Sequence, residues 1–372
     1  MVAQAQSEGA RTAVEDGVNA PDAVVFRGDG EPKTPEGLVA RLSEIVSSRG
    51  IEADNYSNGG VVRELEERFA GLLGKEDAVF MPSGTLANHL ALRMLCAGRP
   101  RAIVQEQSHL YHDTGDCVQQ LSGINMVPLA ANRPYFTLDE VRDAVEESVG
   151  GRVVTPVGAL MVESPVRRQH GQIMPLHEMR SVTAFCSEQG IPTHLDGARL
   201  FMMSAATGVS PAEYSAMFDT VYVSLYKYFG SPYGAMLAGT SDFCRGLYHH
   251  RRMFGGGLSS AALAAALALE GVEGFEDRFA NAMSKASSLF DELNAIPGLT
   301  VGAYEHGSNI FPLNLPSEIE LESFANRLAE SRVFVSAGED DRVSPHLTVN
   351  TTILRKSNDE IVNAFRTAFD NG

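Results

Sequence analysis

The chain has 372 residues, of which 44% are hydrophobic and 21% charged, and this composition excludes a fibrous or largely disordered protein. It carries 47 acidic and 30 basic residues, which gives a net charge of −17. An acidic surface repels phosphate backbones, and no basic patch is concentrated in the sequence. We therefore expect no nucleic-acid partner.

The N-terminal residues and the cysteines indicate the cellular compartment. Residues 1–20 are small and polar and lack the apolar segment of a signal peptide. The longest apolar stretch, 261–269, is far shorter than the roughly 20 residues that a membrane span needs. The 4 cysteines show neither a CxxC pair nor a disulfide framework. We expect a cytoplasmic protein with no membrane segment, and we expect residues 1–25 to form a flexible arm.

Between residues 33 and 269, short apolar runs alternate with amphipathic helical patterns. The apolar runs predict strands over residues 78–81, 102–105, 159–163, 192–196, 220–226 and 233–239. The helical patterns cover residues 61–74, 85–97, 137–150 and 176–190. Such alternation is typical of βαβ units, so we predict an α/β domain with a mainly parallel sheet covered on both faces.

The pattern changes after a Gly- and Ala-rich stretch, 255–271, which predicts a glycine turn and a closely packed helix. Beyond it we predict helices near residues 275–295, 317–331 and 357–369, and strands near 299–304, 309–315, 333–336 and 346–353. This order of elements indicates a smaller α+β domain. We therefore predict a large domain over residues 26–272 and a small C-terminal domain over 273–372.

The first feature with chemical potential is the sequence PSGT, residues 82–85, between a predicted strand and a predicted helix. Backbone N–H groups and hydroxyls at a helix N-terminus bind anions well, so Ser83, Gly84 and Thr85 form a candidate phosphate site. The alternative is an ordinary helix cap with a turn glycine, which is common.

Asp196 and Lys227 each lie at the end of a predicted strand. Open α/β sheets bind ligands at the carboxyl ends of their strands, so Asp196 either holds a cationic group or caps the following helix. Arg199 either pairs with Asp196 or holds an anionic substrate. Burial lowers the pKa of an amine, and a Schiff-base lysine needs a lowered pKa. Lys227 is therefore a candidate for that role.

These features, together with the motif HLDGAR at residues 194–199, resemble the large domain of fold type I pyridoxal-phosphate (PLP) enzymes. Within that group the chain is most similar to the threonine aldolase and β-eliminating lyase family, from about Phe26 to the C-terminus. The HLDGAR motif and the S-x-x-K spacing of Ser224 and Lys227 are the most specific parts of the likeness. The resemblance implies a large α/β domain with a mainly parallel mixed sheet, and PLP as the cofactor.

The resemblance also implies roles around the cofactor. Lys227 carries PLP as a Schiff base, Asp196 pairs with the pyridine nitrogen, and His109 stacks on the ring. His112 competes with His109 for that role, and the motif favours His109. The residues implied to contact the cofactor are Ser83, Gly84, Thr85, His109, Asp196, Arg199, Ser224, Lys227 and Arg251.

Active sites of this family are completed by a second subunit, so the resemblance implies a homodimer or homotetramer with shared active sites. Arg251 matches a phosphate-binding arginine that often crosses to the neighbouring subunit, and Arg252 competes with it for this role. The residues implied to contact the amino acid substrate are Arg199, Arg167, Tyr56 and Asp29. No cluster of metal ligands stands out, so we expect no metal site.

The chain departs from the family pattern where a threonine aldolase binds its amino acid. Gly28, in FRGDG, replaces a serine that contacts the substrate carboxylate, and Val166 replaces a histidine near the substrate hydroxyl. The position of a carboxylate-binding arginine falls near Val349 or Asn350. Arg167 and Arg168 lie in the altered loop and are candidates to replace the lost cation.

Three functions remain open at this point. The leading one is an aldolase that cleaves a β-hydroxy-α-amino acid to glycine and an aldehyde, or runs the reverse or transaldol reaction. The second is a β-eliminating lyase or another Cα chemistry, because the altered carboxylate contacts decide which bond breaks. The third is a cofactor-binding protein without catalysis, which the presence of both Asp196 and Lys227 disfavours.

Overall fold

A computed structural model of the chain describes residues 17–336 and 345–370. These residues divide into a large unit, 40–273, and a small unit formed by 17–39 and 274–370. The four cysteines are all free thiols. None of the helices in the described ranges combines the length and the apolar character needed to cross a membrane.

The described residues form twelve strands and fourteen α-helices. The strands are β1 (Val24–Val25), β2 (Asp77–Met81), β3 (Arg101–Gln105), β4 (Asn125–Leu129), β5 (Ala159–Glu163), β6 (Thr193–Asp196), β7 (Thr220–Ser224), β8 (Ala235–Gly239), β9 (Thr300–Val301), β10 (Ile310–Asn314), β11 (Val333–Phe334) and β12 (His346–Thr348).

Helix α1 (Pro35–Ser48) crosses the boundary between the two units. The other helices of the large unit are α2 (Gly60–Leu73), α3 (Gly84–Leu95), α4 (His109–His112), α5 (Cys117–Ser122), α6 (Leu138–Gly150), α7 (Leu176–Glu188), α8 (Leu200–Thr207), α9 (Pro211–Ala216), α10 (Ser241–Met253) and α11 (Ala261–Val272). The helices of the small unit are α12 (Phe275–Leu293), α13 (Leu321–Glu330) and α14 (Asn358–Asp370). Two 3-10 helices cover Arg167–Gln169 and Thr351–Arg355.

The large unit is built on one seven-stranded sheet with the order β2-β8-β7-β6-β5-β3-β4. Strands β7, β6, β5, β3 and β4 run parallel to one another, and β8 is antiparallel to both of its neighbours. Every residue of β5, β6, β7 and β8 is buried, as expected for strands covered on both faces. The predicted α/β class with a mainly parallel mixed sheet is confirmed.

The sequence pattern does not predict β4, which contains Pro128 and has a mixed burial pattern. This strand pairs only with β3 and forms the edge of the sheet. A proline is tolerated there because an edge strand does not need every backbone N–H for a neighbouring strand.

The small unit contains the three-stranded antiparallel sheet β12-β10-β9 and the parallel pair β1-β11. The sequence analysis assigned residues 26–39 to the large domain and residues 1–25 to a flexible arm. Residues 1–16 lie outside the described residues. Residues 17–39 group with the C-terminal residues, because Val24 and Val25 pair with β11 and Phe26 packs edge-on against Phe365, with ring centroids 6.4 Å apart.

Candidate active site

A cavity of about 270 Å³ lies in the large unit at the carboxyl ends of β5, β6 and β7. In a mainly parallel sheet, this edge is where ligands bind. The predicted site residues that line the cavity are Ser83, Gly84, Thr85, His109, Asp196, Arg199 and Lys227. Four segments that are far apart in the sequence therefore meet in one place.

The wall at the start of α3 has the geometry of an anion site. Ser83 caps the helix, because its Oγ accepts a hydrogen bond from the Leu86 N–H at 3.2 Å. The first backbone N–H groups of α3 have no partner within the helix and are available to an anion. A Cβ at Gly84 would collide with the Tyr222 hydroxyl, so the close packing at this turn requires glycine.

Asp196 is held by a chain of buried hydrogen bonds. Its Oδ2 accepts from Asn88 Nδ2 at 2.6 Å, and its Oδ1 accepts from the Ala198 N–H at 3.1 Å. Because the Asn88 amide nitrogen faces the carboxylate, its Oδ1 must accept from His194 Nε2, which is 2.9 Å away. These contacts fix the direction in which the carboxylate points.

The two hydrogen bonds of His194, to Asn88 and to Thr220, fix its tautomer. With the proton on Nε2, its Nδ1 accepts from the Thr220 hydroxyl at 2.8 Å. Burial lowers the pKa of His194 to about 4, so the ring is neutral at neutral pH. A neutral ring keeps one donor and one acceptor, which is the arrangement that this chain of hydrogen bonds needs.

Glu163 lies beside Asp196 at the end of the neighbouring strand and also lines the cavity. Its Oε2 accepts from the His109 N–H at 2.5 Å, and its Oε1 accepts from the Arg167 N–H at 3.0 Å. Burial and the negative charge of Asp196 raise the pKa of Glu163 to about 7. This carboxyl group therefore fixes the backbone of His109 and of the loop that follows β5.

Lys227 follows β7 and lines the cavity together with the aromatic rings of Tyr226 and Tyr233. Its ammonium nitrogen lies 5.8 Å from the centroid of the Tyr226 ring. Of the two candidate histidines, His109 lines the cavity and His112 does not. His112 packs instead against Tyr111, with ring centroids 5.2 Å apart.

Arg251 does not line this cavity within one copy of the chain, so the phosphate-binding role that the resemblance implied stays a prediction. Arg251 is fully buried, and its Nη1 donates to the Phe80 carbonyl at 2.7 Å. Its Nη2 donates to the Ser57 carbonyl at 3.1 Å and to Asn58 Oδ1 at 2.8 Å. Its hydrogen bonds therefore hold the loop around Ser57 against β2, while its Nε has no hydrogen-bond partner among the described residues.

Four further predicted residues also lie outside the cavity. Tyr56 is exposed and packs against Arg252, whose guanidinium carbon is 4.4 Å from the ring centroid. Ser224 is buried, and its Oγ has no hydrogen-bond partner among the described residues. The Arg167 guanidinium is 3.9 Å from Asp113, and its side chain is 58% exposed. Asp29 belongs to the small unit.

Sequence reasoning missed four residues that build the site: Asn88, Glu163, His194 and Tyr222. Glu163 had a usable signal, because it ends a buried strand as Asp196 does. His194 lies within the quoted HLDGAR motif. Asn88 and Tyr222 had no signal, because a polar residue inside a helix and an aromatic residue in a β-rich run have the pattern of ordinary structural positions.

The fold and the cavity together define an α/β enzyme site with a lysine, an aspartate and an anion-binding turn. Residues 42–313 match the family model described as β-eliminating lyase. This match covers more than half of the chain, and the chain belongs to that family.

A low-specificity L-threonine aldolase of Candida albicans is 32% identical over 222 residues, which cover 59% of this chain. The chain spans 58% of the length of that relative. A solved structure of a candidate L-allo-threonine aldolase from Listeria monocytogenes has a TM-score of 0.79 and 27% identity, and the match covers 96% of this chain and 99% of that one.

A second solved structure, of a candidate aromatic amino acid β-eliminating lyase/threonine aldolase from Exiguobacterium sp. 255-15, has a TM-score of 0.78 and 26% identity. This match covers 95% of this chain and 100% of that chain. The three comparisons agree on the family and on its fold type I architecture.

Enzymes of this family use PLP, and the described residues fit that cofactor. The anion-binding turn before α3, the buried Asp196 carboxylate and the Lys227 amine face one cavity. The first backbone N–H groups of α3 have no partner within the helix and are donors for the phosphate. Lys227, Asp196 and the Ser83–Thr85 turn would hold the cofactor.

Proposed function

We propose that the protein is a PLP-dependent carbon–carbon lyase that cleaves a β-hydroxy-α-amino acid to glycine and an aldehyde, or runs the reverse or transaldol reaction. The observation that carries this proposal is the convergence of Lys227, Asp196 and His109 on one cavity beside an anion-binding turn. The Candida albicans relative, named a threonine aldolase, supports the substrate class.

The residues around the cofactor would set its position and protonation. PLP, when bound, supplies an electron sink for the bond that breaks at Cα. Asp196 keeps a proton on the pyridine nitrogen, because a fixed buried carboxylate stabilises a neighbouring cation. Lys227 would hold the cofactor through its amine.

Two side chains in the cavity wall act on the substrate in this proposal. Arg199 is 8% exposed and lines the cavity, so it is placed to bind the substrate carboxylate. His109 takes the proton of the β-hydroxyl group, directly or through a bound water, because its backbone is anchored by Glu163 and the residue lines the same cavity. Loss of that proton turns the hydroxyl oxygen into the aldehyde carbonyl as the Cα–Cβ bond breaks.

β-Elimination is the second candidate, and Asn350 favours it. Asn350 lies near the position where the family pattern has a carboxylate-binding arginine, and it is 1% exposed. Its Nδ2 donates to the Val25 carbonyl at 2.8 Å, so it fastens β1 and offers no cation. With that contact changed, a different bond at Cα or Cβ could be aligned for cleavage.

Product analysis separates the two reactions. With PLP and L-threonine, we expect equal amounts of glycine and acetaldehyde, because the retro-aldol reaction splits the Cα–Cβ bond. L-Alanine, which has no β-hydroxyl group, is the control and is expected to give neither product. Ammonia and a keto acid in place of glycine would show that the protein is a β-eliminating lyase and not an aldolase.

We also propose that two copies of the chain complete each active site. Tyr56 and Arg252 support this, because they form an exposed pair next to the loop that Arg251 holds. Arg252, and not the buried Arg251, is then the arginine offered to the phosphate of a second copy. Sedimentation velocity is expected to show a dimer or a tetramer, and a catalytically active monomer would contradict the shared site.

A further inference from the structure

Tyr222 lines the cavity and takes no part in the proposed reaction. It lies in β7, directly opposite Asp196 of β6 in the parallel register. Successive residues of a strand point to opposite faces, so Thr220, Tyr222 and Ser224 share one face of the sheet. Thr220 hydrogen bonds to His194, so this is the face of the sheet on which the series of hydrogen bonds from Thr220 to Asp196 lies.

The Tyr222 hydroxyl reaches the first residue of α3. A Cβ placed on Gly84 would collide with the Tyr222 hydroxyl oxygen and with the ring carbon that carries it. The hydroxyl therefore occupies the space beside the anion-binding turn that a side chain at position 84 would fill. The tyrosine at position 222 therefore requires a glycine at position 84.

This hydroxyl is a hydrogen-bond donor at every physiological pH. Burial and the nearby Asp196 and Tyr226 raise the pKa of Tyr222 well above its ordinary value, so the proton stays on the oxygen. Ser224 lies on the same face, and its influence on Tyr222 lowers that pKa by less than burial raises it.

We propose that Tyr222 is a phosphate ligand, donating its hydroxyl proton to an oxygen of the phosphate group that binds at the turn formed by Ser83, Gly84 and Thr85. The inference rests on the assignment of PLP as the cofactor. A dianionic phosphate in a buried site is stabilised by every donor that points at it, and hydrogen bonds to charged groups are the strong ones. Tyr222 adds a side-chain donor to the backbone donors of α3.

The test compares PLP with pyridoxal, which has the same ring and no phosphate. The variant Tyr222→Phe keeps the ring and its packing but removes the donor. We expect its dissociation constant for PLP to rise roughly 10- to 100-fold, the range for a lost hydrogen bond to a charged group. Its dissociation constant for pyridoxal should stay within twofold of that of the unchanged protein. Both constants come from absorption titrations of the apoprotein, with near-UV circular dichroism to check the fold.

Tyr214→Phe is the matched control, because Tyr214 is also buried and donates its hydroxyl proton to Thr207 Oγ1 at 3.0 Å, but it does not line the cavity. This variant is expected to bind both compounds normally. Inorganic phosphate should also compete with PLP more weakly in Tyr222→Phe than in the unchanged protein. Equal loss of PLP and pyridoxal binding, or no loss of either, would overturn the role of Tyr222. Failure of the unchanged protein to bind PLP would instead overturn the cofactor assignment.

Discussion

Replacing Lys227 by alanine is expected to lower the rate of substrate cleavage by roughly 10⁴-fold or more, because the amine that anchors the cofactor is lost. The visible absorption band that PLP gives on bonding to a protein amine should disappear. The fold should persist, since Lys227 lies in the cavity wall and is only half-buried. The measurements are the absorption spectrum with PLP and the rate of glycine release from L-threonine.

The variant Lys227→Arg shows whether activity needs the Schiff-base amine or only a positive charge at this position. Arginine keeps a positive charge at the same place, but its guanidinium is not deprotonated in proteins and does not form a Schiff base. We therefore expect it to be as inactive as the alanine variant and also to lack the absorption band. An active arginine variant, or an alanine variant that keeps the band, would show that another amine carries the cofactor.

The core of the site was predictable from sequence because strand ends are a topological signal. Asp196 and Lys227 both follow buried apolar runs, and parallel strands bring such ends to one edge of the sheet. The PSGT turn was predictable for a related reason, since a helix start exposes backbone N–H groups wherever it occurs. These arguments need only local pattern and the class of the fold.

Residues that act through tertiary contacts were not predictable in this way. Asn88 matters because its amide joins Asp196 to His194, and no spacing in the sequence reports that contact. Arg251 has contacts that its motif also does not report. The motif suggests a phosphate ligand, and within one copy of the chain the guanidinium donates to the carbonyls of Phe80 and Ser57.

The departures from the family pattern also divide into those that the sequence indicates and those that only tertiary contacts reveal. The resemblance alone indicated that Asn350 falls near the place of a carboxylate-binding arginine. Only the structure shows that the amide is used on the backbone of the small unit, at the Val25 carbonyl. The substrate carboxylate must then rely on other cations, and Arg199 is the arginine among the described residues that lines the cavity. Substrate choice is therefore the part of the function in which this chain is expected to differ most from its relatives.

Replacing Asp196 by asparagine is expected to lower kcat roughly 10²- to 10³-fold, the range seen when one preorganised electrostatic contact is removed. Asparagine has nearly the same shape, but it carries no charge to keep a proton on the pyridine nitrogen. PLP should still bind to Lys227, so the absorption band should persist, in contrast to the lysine variants. The measurements are kcat with L-threonine and the absorption spectrum.

The same substitution has a second effect with a definite sign. The negative charge of Asp196 helps to raise the pKa of Glu163 to about 7, so its removal should lower that pKa. Any limb of the pH profile that arises from Glu163 should therefore move to lower pH in Asp196→Asn. An Asp196→Asn variant with an unchanged kcat would show that the ring nitrogen needs no charged partner, and it would remove Asp196 from the mechanism proposed for this enzyme.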